Sequence, residues 1–202
     1  DLGALLPVAQ GKMPLLVHVH RAADISMILK VAREEGLKLI LEGAEEGWMV
    51  ADQIAAAHVP VILDSEANTP ANFEQLGSRL DNAARRHKAD VLIAIEGARN
   101  WGNVRQARFN AGTAVANGLP YAEAVASITV NPARMFGEDA NFGVIAPGRV
   151  GDLVVWDGDP LEVTSAPVVV MVNGVPQPDN SRGTALAKRY MKPDDGYPAG
   201  YH

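Results

Sequence analysis

Short apolar runs alternate with longer amphipathic stretches between residue 14 and about residue 118 of the chain. The runs are nearly continuous in apolar residues, which is typical of strands covered on both faces of a parallel sheet. In the stretches between them, apolar residues recur at helical spacing, so the pattern predicts four βα units. The predicted strands are 14–19, 37–41, 59–63 and 91–95, and the predicted helices are 22–35, 48–58, one ending near Lys88 and one ending at 117–118.

The pattern changes after the fourth unit, where helices become short and polar turns separate short apolar runs. We predict helices at 120–126 and 132–136, with Asn131 as the N-cap of the second, and then strands at 143–145, 152–156 and 168–172. A helix at 184–191 and a tail rich in proline, glycine and tyrosine follow. The predicted divisions are 1–142, an α/β portion with terminal helices, 143–178, a β segment, and 179–202, a C-terminal helix and tail.

Length and composition indicate a globular protein, since 202 residues with 48% hydrophobic content can bury a sizeable core. The net charge of -6 argues against nucleic acid or an anionic membrane as the main partner, because both bind basic surfaces. A small-molecule substrate is therefore expected. No stretch approaches the roughly 18 apolar residues of a membrane span. The sequence does not distinguish a cytoplasmic from a periplasmic location.

His18 and His20 lie two residues apart at the end of the first predicted strand, in the run Val-His-Val-His. Residues i and i+2 of a strand point to the same face, so both imidazoles can reach one ion. Because the chain has no cysteine, histidine and carboxylate side chains are the ligands available for any metal. The alternative is that both histidines form hydrogen bonds with neighbouring loops, and the pair alone does not decide between the two.

Two later segments, 126–137 (ASITVNPARMFG) and 143–160 (GVIAPGRVGDLVVWDGDP), follow the βα units in this order. Together with those units they resemble the amidohydrolase superfamily, specifically relatives of imidazolonepropionase and Xaa-Pro dipeptidase-type enzymes. The resemblance implies an α/β fold, a metal-binding (β/α)8 TIM-like barrel, with a β-sandwich made from both ends of the polypeptide. A complete barrel takes about 250 residues, so we expect half of one here, strands five to eight, with an appended β-sandwich segment.

The resemblance also implies roles for individual residues. By position on the fifth strand His18 matches a metal ligand and His20 a substrate-binding or supporting group, while Glu42 stands where the sixth strand normally carries a ligand histidine. Glu42 is therefore either a replacement metal ligand or a solvated carboxylate at a strand end. Glu96 stands in place of the catalytic aspartate of the eighth strand, as a metal ligand and general base, although it is longer by one methylene.

Other residues after the strand ends are weaker candidates. Arg99 and Asn100 are expected to bind substrate, with surface ion pairing as the alternative. Asp64 and Ser65 end the seventh strand, where they either line the pocket or form a turn.

The function implied is that of the C-terminal portion of a metal-dependent amidohydrolase that hydrolyses a C-N bond in a cyclic amide, imino-ring compound or dipeptide-like substrate. A divalent metal, with zinc as the candidate, would activate the attacking water. We expect weak or absent metal binding and no catalysis by the chain alone. The expected partners are a small-molecule substrate, the N-terminal half of the same protein and, because a half barrel leaves strand edges open, a second copy of the chain.

Two alternatives remain beside this interpretation. One is a degenerate, non-catalytic barrel used for binding or assembly, in which Glu42 and Glu96 mark lost ligands. The other is a small self-sufficient hydrolase that uses His18, His20 and Glu96. The first alternative gains if the expected upstream strands also lack metal ligands.

Overall fold

The body of the molecule is a four-stranded parallel sheet whose strands follow one another in chain order. The computed structural model describes residues 2–65, 70, 72–97, 104–178 and 181–191. The strands are β1 (Leu15–Val19), β2 (Leu39–Gly43), β3 (Val61–Leu63) and β4 (Ile93–Ile95). Each of the four apolar runs therefore forms a strand, and the predicted parallel α/β arrangement is confirmed.

One short helix precedes the sheet, and the other helices join its strands or follow the last one. They are α1 (Leu6–Ala9), α2 (Ala22–Glu35), α3 (Ala51–Ala56), α4 (Asn82–Lys88), α5 (Ala107–Ala116), α6 (Tyr121–Ser127) and α7 (Val130–Phe136). The bounds of α2 agree with the prediction because Gly36 ends the helix in the left-handed conformation, at φ 67°. The predicted helix 48–58 is instead a 3-10 turn, Gly47–Val50, that leads into the shorter α3.

The core lies between the sheet and the helices that pack on it. Ile25 of α2, Ile54 of α3 and the strand residues Leu41, Leu63 and Ile93 are all at most 1% exposed. Burial of each such side chain contributes about 1.5–3 kcal/mol to folding. The carboxyl ends of the strands are thereby held at one edge of a packed body, where the polar residues that follow them are brought together.

Asn131 links α7 to the sheet instead of capping the helix. The predicted N-cap role is wrong, because α7 begins at Val130 and Thr129 occupies the N-cap position, which places Asn131 inside the helix. The Asn131 side chain is 2% exposed, and its Nδ2 donates a hydrogen bond to the carbonyl oxygen of Ile93, at 2.9 Å. The buried carbonyl of this β4 residue thus accepts a hydrogen bond from a side chain of α7.

Replacing Asn131 with alanine is expected to lower the free energy of unfolding by about 1–3 kcal/mol, because the Ile93 carbonyl loses its buried donor. Urea unfolding followed by circular dichroism measures the change. Asn117→Ala is the matched control, since that side chain only bonds to Thr113 within its own helix. Equal losses for both variants would contradict the linking role of Asn131.

A second sheet of three antiparallel strands follows the helices. Its strands are β5 (Leu153–Trp156), β6 (Pro167–Val172) and β7 (Val175–Pro176). The predicted strand 143–145 is wrong: these residues form a bend, and Gly143 has a φ of 92°. A Cβ at Gly143 would lie 2.6 Å from the Cα of Val130, so the backbone there packs against the start of α7 and does not extend into a strand.

The last described element is α8 (Arg182–Tyr190), which the sequence predicted at nearly the same place. Ser181 caps it by accepting a hydrogen bond from the Thr184 amide, at 3.1 Å. Within the described ranges, no helix combines the length and the apolar content needed to cross a bilayer.

Candidate functional site

His18 and Glu42 lie side by side at the carboxyl ends of β1 and β2. The parallel register pairs these two residues directly, so their side chains project from the same face of the sheet. The Nδ1 of His18 is 3.3 Å from an oxygen of Glu42, and the two side chains are 46% and 23% exposed. The structure therefore brings together two of the predicted metal candidates and leaves both accessible to solvent.

His20 forms a second histidine and carboxylate pair, with a partner that sequence reasoning missed. Its Nδ1 is 2.5 Å from Oε2 of Glu45, a carboxylate that is only 2% exposed. Gln75 donates from Nε2 to the other oxygen of Glu45, at 3.0 Å. The rings of His20 and His18 meet edge to face with centroids 4.5 Å apart, so the two pairs form one continuous cluster.

The loop that carries Glu45, residues 44–47, is tied to the end of β1 and will be called the acidic loop. Its first residue, Ala44, has a left-handed φ of 48° and donates its amide to the carbonyl of Val19, at 2.6 Å. The amide of Glu46 donates to the carbonyl of His20, at 3.0 Å. These two bonds fix the acidic loop against the backbone on either side of the His20 side chain.

Glu46 uses its side chain for structure. One carboxylate oxygen accepts the amide of Ala22, at 3.0 Å, at the first residue of α2, where a negative charge also favours the helix dipole. The other oxygen accepts the amide of Gly77, at 3.2 Å. Adjacent glutamates of the acidic loop thus have different tasks, because Glu45 faces the histidine and Glu46 holds α2 and the segment around Gly77.

A buried arginine lies beneath the acidic loop. The Arg86 side chain, from α4, is fully buried, and its Nη2 donates to the carbonyl oxygen of Ala44. Burial lowers the pKa of Arg86 to about 9, and the negative charge of Glu45 acts in the opposite direction. Asn82, on the same helix, donates to the carbonyl oxygen of Glu45, at 3.1 Å. A Cβ at Gly47 would lie 2.6 Å from Nη2 of Arg86, so only glycine fits there.

At the other side of the sheet, Asn110 joins the ends of β3 and β4. This fully buried residue of α5 donates from Nδ2 to a carboxylate oxygen of Asp64 and to the backbone carbonyl of Glu96, both at 2.8 Å. Asp64 is 9% exposed and Ser65 is 1% exposed, so neither lies in an open solvated turn. The position of Glu96 at a strand end is therefore held through its backbone.

The predicted site residues are only partly brought together. His18, His20 and Glu42 form one cluster around β1 and β2, whereas Glu96 follows β4, and β3 lies between β2 and β4. Arg99 and Asn100 lie outside the described residues. No group of three or more histidine, aspartate and glutamate side chains placed to hold a metal ion occurs within the part of the chain that the structure describes.

Comparison with known proteins gives consistent results over most of the chain. The profile described as "Amidohydrolase family" matches residues 8–178. Over 63 residues, 31% of this chain and 6% of the relative, the sequence is 48% identical to amidohydrolase tasK of Hapsidospora irregularis. An amidohydrolase from Thermotoga maritima superposes with a TM-score of 0.76 at 29% identity, covering 84% of this chain and 44% of that one.

A second solved structure shows the same fold at lower identity. It is an adenosine deaminase from Xanthomonas campestris with bound zinc, with a TM-score of 0.63 at 22% identity, covering 93% of this chain and 52% of that chain. The chain therefore spans about half the length of these two structures and a small fraction of the curated relative.

Proposed function

This chain belongs to the amidohydrolase family, and we propose that it supplies the C-terminal part of the active site of a hydrolase acting on C-N bonds. The substrate class proposed is a cyclic amide, an imino-ring compound or a dipeptide-like molecule. The observation that carries the proposal is the pairing of His18 with Glu42 at neighbouring strand ends, in a chain that matches the family over residues 8–178.

The proposed architecture places β1 to β4 as strands five to eight of a TIM-like barrel and the second sheet as part of a β-sandwich. Its support is that 84% of this chain superposes on 44% of the Thermotoga maritima amidohydrolase. The polar cluster also lies at the carboxyl ends of parallel strands, where barrel enzymes carry their active sites. We also propose that a second copy of the chain covers the outer edges of β1 and β4.

A divalent metal is part of the proposed function, with zinc as the candidate. His18 and Glu42 fit zinc in kind, because imidazole and carboxylate are among its usual ligands. They fall short in number, since a catalytic zinc normally has three protein ligands, and the described residues hold no group of three. We therefore propose that further ligands come from other parts of a longer polypeptide. A divalent ion held there would supply the Lewis acidity that activates water.

The proposed roles of the other residues follow from their places. Glu96, whose backbone is fixed by Asn110, is proposed as the general base that accepts a proton from water, and as an additional metal ligand. His20 is proposed to contact substrate, from its place beside His18. Arg99 and Asn100, outside the described residues, are proposed to bind substrate as well.

A non-catalytic binding role is the second candidate. It is favoured by the fact that both histidines of the cluster already face a carboxylate, at 3.3 Å for His18 and 2.5 Å for His20. Such pairs can persist as structural contacts after catalytic ligands are lost.

The test uses a full-length polypeptide that contains this chain, and a panel of cyclic amides, N-acyl amino acids and Xaa-Pro dipeptides. We expect hydrolysis that a chelator abolishes and zinc restores, and elemental analysis should find bound zinc. His18→Asn is expected to remove both properties, whereas the matched control His87→Asn, at a partly exposed helix position beside Glu123, should keep them. Zinc-independent hydrolysis, or no hydrolysis and no zinc, would reject the proposal.

The separate 202-residue chain provides a further measurement. It is expected to hold less than one zinc per chain and to show no turnover, because two donors bind zinc weakly. Strong zinc-dependent hydrolysis by this chain alone would show that it needs no further ligands.

A further inference from the structure

Glu45 is a buried carboxylate to which neither sequence nor family resemblance assigned a role. We propose that Glu45 is a positioning residue that holds the imidazole proton of His20 on Nδ1 and leaves Nε2 unprotonated at the active-site end of β1. The consequence for catalysis rests on the proposed function, but the position of the proton does not. Glu45 decides which nitrogen of the neutral ring carries the proton.

The first argument is the distance between the two side chains. At 2.5 Å, Nδ1 of His20 and Oε2 of Glu45 must share a proton, because two lone pairs would repel each other at that separation. Gln75 does not supply this proton: its Nε2 is 3.0 Å from Oε1 of Glu45 and 3.4 Å from the ring nitrogen, so its hydrogen bond goes to the carboxylate.

The second argument decides on which partner the shared proton resides. A protonated Glu45 could donate to Nδ1, and the ring proton would then lie on Nε2. The buried guanidinium of Arg86 opposes this arrangement, because its positive charge attracts the carboxylate group of Glu45 in its negative form. The Gln75 donor also stabilises an ionised carboxylate. Glu45 therefore acts as the acceptor and Nδ1 of His20 as the donor.

The third argument is that the backbone keeps the pair in place. Val19 and His20 accept amide hydrogen bonds from Ala44 and Glu46, on both sides of Glu45, and Asn82 donates to the carbonyl of Glu45 itself. These bonds hold the backbones of His20 and Glu45 at a fixed separation, which keeps the two side chains within reach of each other.

The result is a histidine with a lone pair available on Nε2. Among the described residues, hydrogen-bond contacts of the His20 ring are made through Nδ1 alone. The His20 side chain is 14% exposed, and the centroid of its ring lies 4.5 Å from that of the more exposed His18 ring. A lone pair in this position can accept a proton from substrate or bind a metal, and it would be lost if the other tautomer formed.

The test is a long-range 1H-15N correlation spectrum of the 15N-labelled full chain, recorded without metal or substrate at about pH 8, above the ordinary histidine pKa of about 6.5. His20→Asn identifies the His20 signals among those of the five histidines in the sequence. We expect His20 to show the pattern of a single Nδ1-H tautomer. An Nε2-H tautomer, a mixture of the two, or a doubly protonated ring would overturn the proposal.

Glu45→Met removes the acceptor and should convert the spectrum of His20 to a mixture of both tautomers. Glu46→Met is the matched control, because Glu46 bonds to backbone amides, and it should leave the Nδ1-H pattern unchanged. The double variant Glu45→Met/Arg86→Met is measured as well, because it removes both buried charges together and is expected to stay folded. An unchanged Nδ1-H pattern in either Glu45 variant would overturn the positioning role. Failure of the hydrolysis assay would leave this spectrum intact, so the two proposals fail separately.

Discussion

Replacing Arg86 with methionine is expected to lower the free energy of unfolding by about 2–5 kcal/mol, because the Ala44 carbonyl loses a buried donor, Glu45 loses the attraction of a buried positive charge, and the guanidinium leaves space behind. Methionine matches the apolar stem of arginine but lacks the guanidinium, so the loss combines the missing charge, the missing hydrogen bond and the space left empty. Glu45, only 2% exposed, would keep its negative charge without a buried cation nearby, and the Ala44 carbonyl would lose its side-chain donor. Urea unfolding at neutral pH measures the change.

The double variant Glu45→Met/Arg86→Met separates the charge effect from packing. With both charges replaced by apolar groups it is expected to recover much of the stability lost by Arg86→Met, giving a favourable coupling between the two positions. Arg85→Met is the control from the same helix: that side chain is 45% exposed and pairs with Asp81, so a loss below about 1 kcal/mol is expected. If Arg86→Met were as mild as Arg85→Met, Arg86 would not support Glu45.

The second large effect concerns the proposed catalysis, measured on a full-length polypeptide that contains this chain. Glu96→Gln is expected to lower kcat by about 10²–10⁴-fold, the usual contribution of a general base, because the amide cannot accept a proton from water. Asn110 still donates to the backbone of Glu96 in this variant, so the strand end should keep its place. Steady-state kinetics across a pH range should also show loss of the acidic limb of the kcat/KM profile.

Two further variants make this measurement specific. Glu96→Asp keeps a carboxylate and introduces the residue type that the family resemblance implies at this strand end, so it should retain more activity than Glu96→Gln. Glu123→Gln makes the same chemical change on α6, where the side chain faces His87, and should leave kcat close to that of the parent. A Glu96→Gln enzyme with an unchanged pH profile would exclude Glu96 as the base.

Much of the parallel sheet could be predicted from the sequence because its strands are continuous apolar runs and its helices have one apolar side. The neighbouring positions of His18 and Glu42 also follow, since consecutive strands pair in register. The N-cap assigned to Asn131 failed for a physical reason. An asparagine before proline matches a capping pattern, but in the structure this side chain donates its hydrogen bond to a buried strand carbonyl instead.

Glu45, Gln75 and Arg86 were not found because their importance arises only from contacts between distant parts of the chain. The one local signal was that Glu45 lies two residues after a buried strand, at the end where functional groups collect. Arg86 gave no such signal: an arginine in an amphipathic helix usually lies at the surface. Its full burial depends on the fit between α4 and the acidic loop.

The fit between Gly47 and Arg86 has a consequence for how this protein can change over time. Any side chain at position 47 would collide with the guanidinium, and the guanidinium cannot move without releasing the Ala44 carbonyl. A larger residue at position 47 is therefore tolerated only where position 86 has already become smaller, and by then Glu45 has lost its buried cation. We therefore expect the residues at positions 47 and 86 to vary together, and a change at either position to disturb the geometry around His20.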